Sequence, residues 1–206
     1  MNALFNNLLS LDGVLYHLIN RDLQNRAFDL IMPLITDLGS GGAVWLVILF
    51  FCAVFGKGTG RKIAFLGTVA LIGSWFVSDV LLKELFARPR PFLHFPDARV
   101  LGARPDQFSF PSGHTTTSFA TATAILGKSR RWGGLALFLA ALIGFSRVYV
   151  GVHYPLDVAG GILVGCTVGW LSLRNEAFLD QAVVRVSKLL KIRRTAPAKS
   201  RNRDRQ

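Results

Sequence analysis

Five stretches of the chain are almost continuously apolar: residues 39–56 (GSGGAVWLVILFFCAVFG), 63–82 (IAFLGTVALIGSWFVSDVLL), 114–127 (HTTTSFATATAILG), 133–150 (GGLALFLAALIGFSRVYV) and 156–173 (LDVAGGILVGCTVGWLSL). Several fall short of the roughly twenty residues that a lone transmembrane helix needs. They are also rich in Gly, Ala, Ser and Thr, which predicts helices packed closely against one another in a membrane bundle. The pattern differs before residue 39. There LFNNLLSLDGVLYHLIN and FDLIMPLITDL interleave apolar residues with Asn6, Asn7, Asp12, His17, Asp29 and Asp37. That interleaving predicts two amphipathic surface helices, with a sixth span as the other reading. Residues 1–9 carry no basic segment and no small-residue cleavage site follows, so a cleaved signal peptide is not expected. The fold class predicted is all-α: a polytopic bundle of five spans, or six, with N-terminal amphipathic helices over 1–38, a core over 39–173 and a basic cytoplasmic tail, partly disordered, over 174–206.

Composition agrees with the pattern. Half of the 206 residues are hydrophobic, 17% are charged, and the mean hydropathy is +0.40, too apolar for an ordinary soluble domain. Cys52 and Cys166 both lie inside apolar runs and are expected to be packing residues, with no disulfide framework and no metal-type spacing. The net charge is +12, and from Arg174 onward there are ten Lys and Arg against three acids, a surplus of seven. A pI near 10.7 would suit a nucleic-acid binder. The surplus, however, sits in a tail beside an apolar core, where it suits anionic lipid headgroups, so the expected partner is the bilayer rather than nucleic acid or an obligate protein.

Charge also orients the bundle. Lys57, Arg61 and Lys62 share one short connection, Lys128, Arg130 and Arg131 another, and the basic tail follows the last span, which places all three in the cytoplasm. Residues 83–113 and 151–155 then face outward. The first of these is nonetheless basic, with Lys83, Arg88, Arg90, Arg99 and Arg104 against Glu84, Asp97 and Asp106. Positive charge on that side points to an anionic ligand.

Three motifs lie on this face. In KELFARPRP, Lys83 and Arg90 stand two helical turns apart, and Pro89 and Pro91 end the helix and fix the Arg90 backbone. A snorkelling lysine beside a solvated arginine is the alternative. In SFPSGH, Ser112 is placed to cap a helix and Gly113 to allow close backbone approach, so that amide groups at the helix start meet an anion beside His114. The other reading is a capped helix whose Thr115, Thr116 and Thr117 bond back to carbonyls, which leaves His114 unexplained. In SRVYVGVHYPLD, Arg147 ends one span, and His153 and Asp157 stand four apart, so that their side chains can meet on one face. A carboxylate on one imidazole nitrogen would fix the tautomer and free the other as nucleophile or base; a capping aspartate and an interfacial histidine are the alternative.

Lys83, six residues, Arg90-Pro91, then Pro111-Ser112-Gly113-His114, then Ser146-Arg147, five residues, His153, three residues and Asp157 together resemble the three-part signature of the type 2 phosphatidic acid phosphatase family, which shares its core with vanadium-dependent haloperoxidases and bacterial acid phosphatases. The resemblance implies an integral-membrane, metal-independent lipid phosphatase without a cofactor. Lys83, Arg90 and Arg147, with Ser112 and the Gly113 amide, would hold the phosphoryl oxygens. His153, oriented by Asp157, would attack phosphorus and form a phosphohistidine, and His114 would protonate the leaving group and then activate water. No carboxylate cluster with Mg²⁺ or Ca²⁺ spacing stands in the sequence, in keeping with three cations taking that part. Asp79, four residues before Lys83, is expected to pair with it, and His94, Arg99 and Arg104 to shape the head-group pocket. A site on the outer leaflet of a bacterial plasma membrane favours undecaprenyl diphosphate, with phosphatidylglycerol phosphate or phosphatidic acid next. A non-catalytic lipid-binding or transport protein is the rival of a different class.

Overall fold

The computed structural model describes residues 3–106, 108–182 and 185, and among these all regular structure is helical. A compact unit ends at Leu173; Arg174 begins a second, in which residues 176–182 are helical, and most of the basic tail lies outside the described residues.

The N-terminal segments are helices, and several polar residues of the first are buried. In α1 (Ala3–His17), which runs into a π-helical turn (Leu18–Asp22), Asp12, Tyr16 and the following Asn20 recur every four residues and are buried. Asn20 donates to the carbonyls of Arg99 (2.8 Å) and Tyr149 (2.9 Å), and Tyr16 donates to that of Gly151 (3.2 Å). Leu8, Leu11, Val14 and Leu18 are exposed instead. The buried polar residues of α1 thus find partners inside the protein, while its leucines lie outermost together with Asn6 and Asn7. α2 (Arg26–Leu38) is N-capped by Asn25, whose side-chain oxygen accepts from the Phe28 amide at 2.9 Å. Met32 and Thr36 are buried there while Leu30 and Leu34 are exposed.

A sharp bend of 51° separates α2 from α3 (Ala43–Phe55), and Gly41 and Gly42 supply the positive φ angles it needs (57° and 72°). The predicted span at 39–56 is thus the second limb of a broken helix pair. The next run is continuous: α4 (Thr59–Trp75) passes into a π-helix (Phe76–Leu82) and a last turn, α5 (Lys83–Phe86), before Ala87 turns the chain and α6 (Pro91–His94) follows. Then come α7 (Gly113–Leu126), α8 (Arg130–Tyr149) and α9 (Pro155–Arg174). Three runs among the described residues are long and apolar enough to cross a bilayer, Thr59–His94, Arg130–Tyr149 and Pro155–Arg174, and the α2–α3 pair makes a fourth if it is one span. The remaining predicted span, α7, has 14 residues, 11 of them buried. At about 1.5 Å per residue it reaches only about 21 Å, short of the roughly 30 Å hydrocarbon core, because it is sheathed by protein rather than lipid.

Small residues make that central position possible. Gly161, Gly165 and Gly169 of α9 lie along the α7 backbone, and a Cβ on Gly165 would stand 2.5 Å from the Thr116 carbonyl oxygen. On the α3 side Trp45 is fully buried and donates to Ser118 Oγ at 2.8 Å. Trp45, Leu49, Leu71, Phe119, Ile125 and Ile143 close the core between the helices. Phe50, Phe55, Trp75, Trp132, Phe138, Leu163 and Trp170 are exposed around the outside. This is an integral membrane protein, its outer surface solvated by lipid.

Candidate active site

All three motifs meet because α4 and α8 end, and α7 and α9 begin, at the same end of the bundle. Lys83, Arg90, Gly113, His114, Arg147 and His153 line one cavity of about 470 Å³, with Gly39, Gly41 and Gly42 of the α2–α3 bend on another side. Leu46, Leu71, Ile72 and Trp75 add an apolar part to its lining, and Asp79 and Thr117 complete the polar part.

Each cation is held by a different device. Lys83 is buried and pairs with Asp79 one turn earlier, as the four-residue spacing predicts; Asp79 also accepts from Ser78 Oγ at 2.6 Å. Arg90 is extended (φ −78°, ψ 156°), placed by Pro91 at the start of α6, and its guanidinium donates to the carbonyls of Val152 (2.8 Å) and Phe108 (3.3 Å). Arg147, buried in the last turn of α8, donates from Nη1 to Thr36 Oγ1 at 2.8 Å, while its Nε has no hydrogen-bond partner. A buried N–H of this kind is costly to leave unmatched and suits an anion in the cavity.

The helix start at SGH differs from its sequence reading. Ser112 is the N-cap residue, but its side chain makes no capping bond: its Oγ accepts from Thr115 Oγ1 at 2.9 Å, and its amide donates to the Asp157 carbonyl at 3.0 Å. It is fully buried and stands behind the cavity. Gly113 does permit a close approach, yet the neighbour is Asp79, whose Oδ2 would lie 2.7 Å from a Cβ at that position. The glycine therefore couples the first motif to the second. Thr116 and Thr117 bond back to the carbonyls of Ser112 (2.9 Å) and Gly113 (3.0 Å), so the plain reading of the threonines is sufficient. His114 faces the cavity with Nε2 3.4 Å from Ser40 Oγ.

His153 sits in the turn between α8 and α9, with Nδ1 3.5 Å from Asp157 Oδ2. That is the spacing of an ion pair rather than of a closed hydrogen bond, and Nδ1 has no other hydrogen-bond partner. Its Nε2 lies 3.3 Å from Arg90 Nη1, and because a guanidinium can only donate, the contact suits an unprotonated Nε2. Burial, followed by the nearby Arg147, Arg90 and Lys83 charges, holds the ring well below the ordinary histidine range.

The matching sequence model is that of the PAP2 superfamily, over residues 61–179. The chain belongs to the PAP2 superfamily. Among its relatives, an undecaprenyl-diphosphatase of Bacillus subtilis, BcrC, is 33% identical over 157 residues, covering 76% of this chain and 79% of that one. A putative undecaprenyl-diphosphatase of Escherichia coli, YbjG, is 43% identical over 120 residues, 58% of this chain and 59% of the relative. Of solved structures, that of LpxE from Aquifex aeolicus matches with a TM-score of 0.66 and 32% identity over 80% of this chain and 95% of that one. The fold and the ordered signature thus agree on this PAP2 membership.

Of the residues expected at the head-group pocket, Arg99 is engaged by Asp29 in a two-pronged pair (2.8 and 2.6 Å), Arg104 lies over the Phe92 ring, and His94 lines a different cavity; none of the three is among the residues that line the cavity of Lys83 and His153. Thr36, Ser40, Asp12 and Arg88 were missed. The Gly-rich LGSGG before an apolar run was the one signal for the Thr36–Ser40 bend. Nothing local marks Asp12 or Arg88, whose partners are 76 and 69 residues away from Arg88.

Proposed function

We propose that this PAP2 protein is a lipid phosphatase of a bacterial plasma membrane, and that it removes a phosphate from undecaprenyl diphosphate or a similar polyprenyl diphosphate at the outer face. The observation that carries the reading is one cavity lined by three cations, two histidines and the apolar Leu46, Leu71, Ile72 and Trp75. Phosphate-ester hydrolysis needs charge neutralisation, a nucleophile and a proton for the departing oxygen. Lys83, Arg90, Arg147 and the Gly113 amide hold the phosphoryl oxygens, with Ser112 supporting the Gly113 turn from behind. His153, with Nδ1 toward Asp157, attacks phosphorus through the Nε2 lone pair. The bond from phosphorus to the bridging oxygen breaks with its electrons on oxygen, and protonated His114 gives that oxygen its proton. His114, now neutral, removes a proton from water, whose oxygen attacks the phosphohistidine; inorganic phosphate leaves and Nε2 regains its lone pair.

Two linked phosphates suit three cations better than one does, and the relatives named undecaprenyl-diphosphatase support the same choice. α1 docks Asp12 and Tyr16 and α2 docks Met32 and Thr36 on the core while their leucines reach lipid, and α3, α4, α7, α8 and α9 cross or fill the bilayer as five segments. The deciding measurement is the ratio of kcat/KM values for undecaprenyl diphosphate, phosphatidylglycerol phosphate and phosphatidic acid in one detergent system. Preference for the diphosphate is expected. A tenfold preference for a glycerolipid monophosphate, about 1.4 kcal/mol in transition-state binding, overturns the substrate, and no release from any lipid overturns the enzyme in favour of a lipid-binding or transport role.

A further inference from the structure

Asp157 is fully buried, and both its oxygens are engaged away from solvent. Oδ2 accepts from the Tyr154 amide at 2.9 Å and faces His153; Oδ1 accepts from Arg88 Nη1 at 2.6 Å. Arg88 lies between Lys83 and Arg90 in sequence but turns away from the cavity that those two line. Its second terminal nitrogen, Nη2, pairs with Asp12 of α1, and its guanidinium carbon lies 3.9 Å from the Tyr154 ring centre. Asp12, also buried, uses its other oxygen to accept from the Leu156 amide in the first turn of α9 at 2.8 Å. One arginine thus joins a carboxylate of the N-terminal helix to the carboxylate behind the histidine.

We propose that Arg88 and Asp12 are positioning residues for phosphoryl transfer: Arg88 keeps the Asp157 carboxylate ionised and turned toward His153, and Asp12 holds Arg88 in place. The proposal rests on the reading of His153 as nucleophile. The charges give the physical reason. Arg90 approaches His153 on its Nε2 side, with Lys83 and Arg147 nearby, so a positive imidazole is opposed from the front. Behind it, two carboxylates share one guanidinium, a surplus of one negative charge. When Nε2 bonds to phosphorus the ring becomes cationic, and the carboxylate behind it meets a full positive charge where the free ring offers none. The interaction is therefore stronger in the transition state than in the ground state and acts on kcat. Without Arg88, two buried carboxylates stand close together with no cation between them, and such a pair does not stay doubly ionised.

The test uses the full chain in detergent, the lipid phosphate that the wild type turns over, and inorganic phosphate as competitive inhibitor. Arg88→Gln is expected to lower kcat on the order of 10- to 100-fold, the usual scale for groups that orient a reacting residue, with KM and the phosphate inhibition constant within about twofold. Arg88→Lys recovers a large part of kcat. Asp12→Asn lowers kcat less, and the double variant with Arg88→Gln is no worse than Arg88→Gln alone, because Asp12 acts through Arg88. Near-normal kcat in Arg88→Gln, or additive losses in the double variant, overturns the proposal. So does a loss of phosphate binding parallel to the loss of kcat. If Arg88→Gln does not fold, Asp12→Asn decides: unchanged kcat overturns, reduced kcat at unchanged KM supports. Turnover by His153→Ala, in contrast, would sink the nucleophile reading itself, whereas an inactive His153→Ala with a fully active Arg88→Gln removes only the positioning roles.

Discussion

Around the cavity no cation is left to choose its own conformation: Lys83 leans on Asp79, Arg90 is set by the proline that follows it, and Arg147 is tied to Thr36. Long flexible side chains held in this way lose little further entropy when an anion arrives. Within this frame the roles proposed for the two histidines can be separated by experiment. His153 is deep, beside Asp157, and His114 stands at the wall near Ser40. His153→Ala is expected to abolish phosphate release. His114→Ala should lower kcat by roughly 10²- to 10⁴-fold, the range of general acid–base catalysis, while inorganic phosphate still inhibits with a similar constant. Added chelator should leave turnover unchanged. Steady-state rates and product inhibition on the purified variants check this, and near-normal turnover by His153→Ala, or loss of wild-type activity to chelator, contradicts it.

At the scale of elements, the short central α7 depends on neighbours that come close enough to sheath it. The glycines at 161, 165 and 169 recur every fourth residue, so one face of α9 is bare backbone along its contact with α7. Gly165→Val would drive a side chain into the Thr116 carbonyl and the Ala120 amide, with no flexible atom to yield. Overpacking of this kind costs about 1–3 kcal/mol or more, so a clear fall of Tm in detergent is expected. Gly134→Ala on exposed α8 meets nothing within 4 Å and should hold or raise Tm through the better helix propensity of alanine. Equal effects of the two substitutions would show that the glycine face does not carry the packing. The π-helical stretch at Phe76–Leu82 belongs to the same scale: it delivers Asp79 and Lys83 to the cavity end of a run begun at Thr59.

For the molecule as a whole, the alternation of helix directions separates two ends. The connections holding Lys57 and Lys128 lie opposite the end at which α7 and α9 begin, so one orientation in the membrane fixes the side on which the cavity opens. With the basic connections in the cytoplasm, a cysteine at exposed Ala103 should react with a membrane-impermeant thiol reagent added to intact cells, and one at exposed Thr59 should not, once Cys52 and Cys166 have been replaced. The opposite labelling pattern would invert the bundle and turn the chemistry toward the cytoplasm.

Much of this protein was legible in the sequence because membrane helices and the residues of the candidate site are both written in local terms. A run of apolar residues has to satisfy its own backbone as a helix, and the spacings from Lys83 to Arg90 and from His153 to Asp157 set which side chains can converge. The membrane class, the all-helical fold and the ordered signature followed from these alone. What the tertiary structure decided was every assignment that depends on a distant partner. Ser112 turned to Thr115 and Asp157 instead of capping, Gly113 made room for Asp79, and Arg99 went to Asp29. The buried polar residues of α1 and the turn after it carried no local sign of their partners, which Arg88, Arg99, Tyr149 and Gly151 supply from far along the chain. A polar residue in an amphipathic helix specifies only that it needs a hydrogen bond, and in lipid, where water is absent, the fold has to supply the other half of that bond.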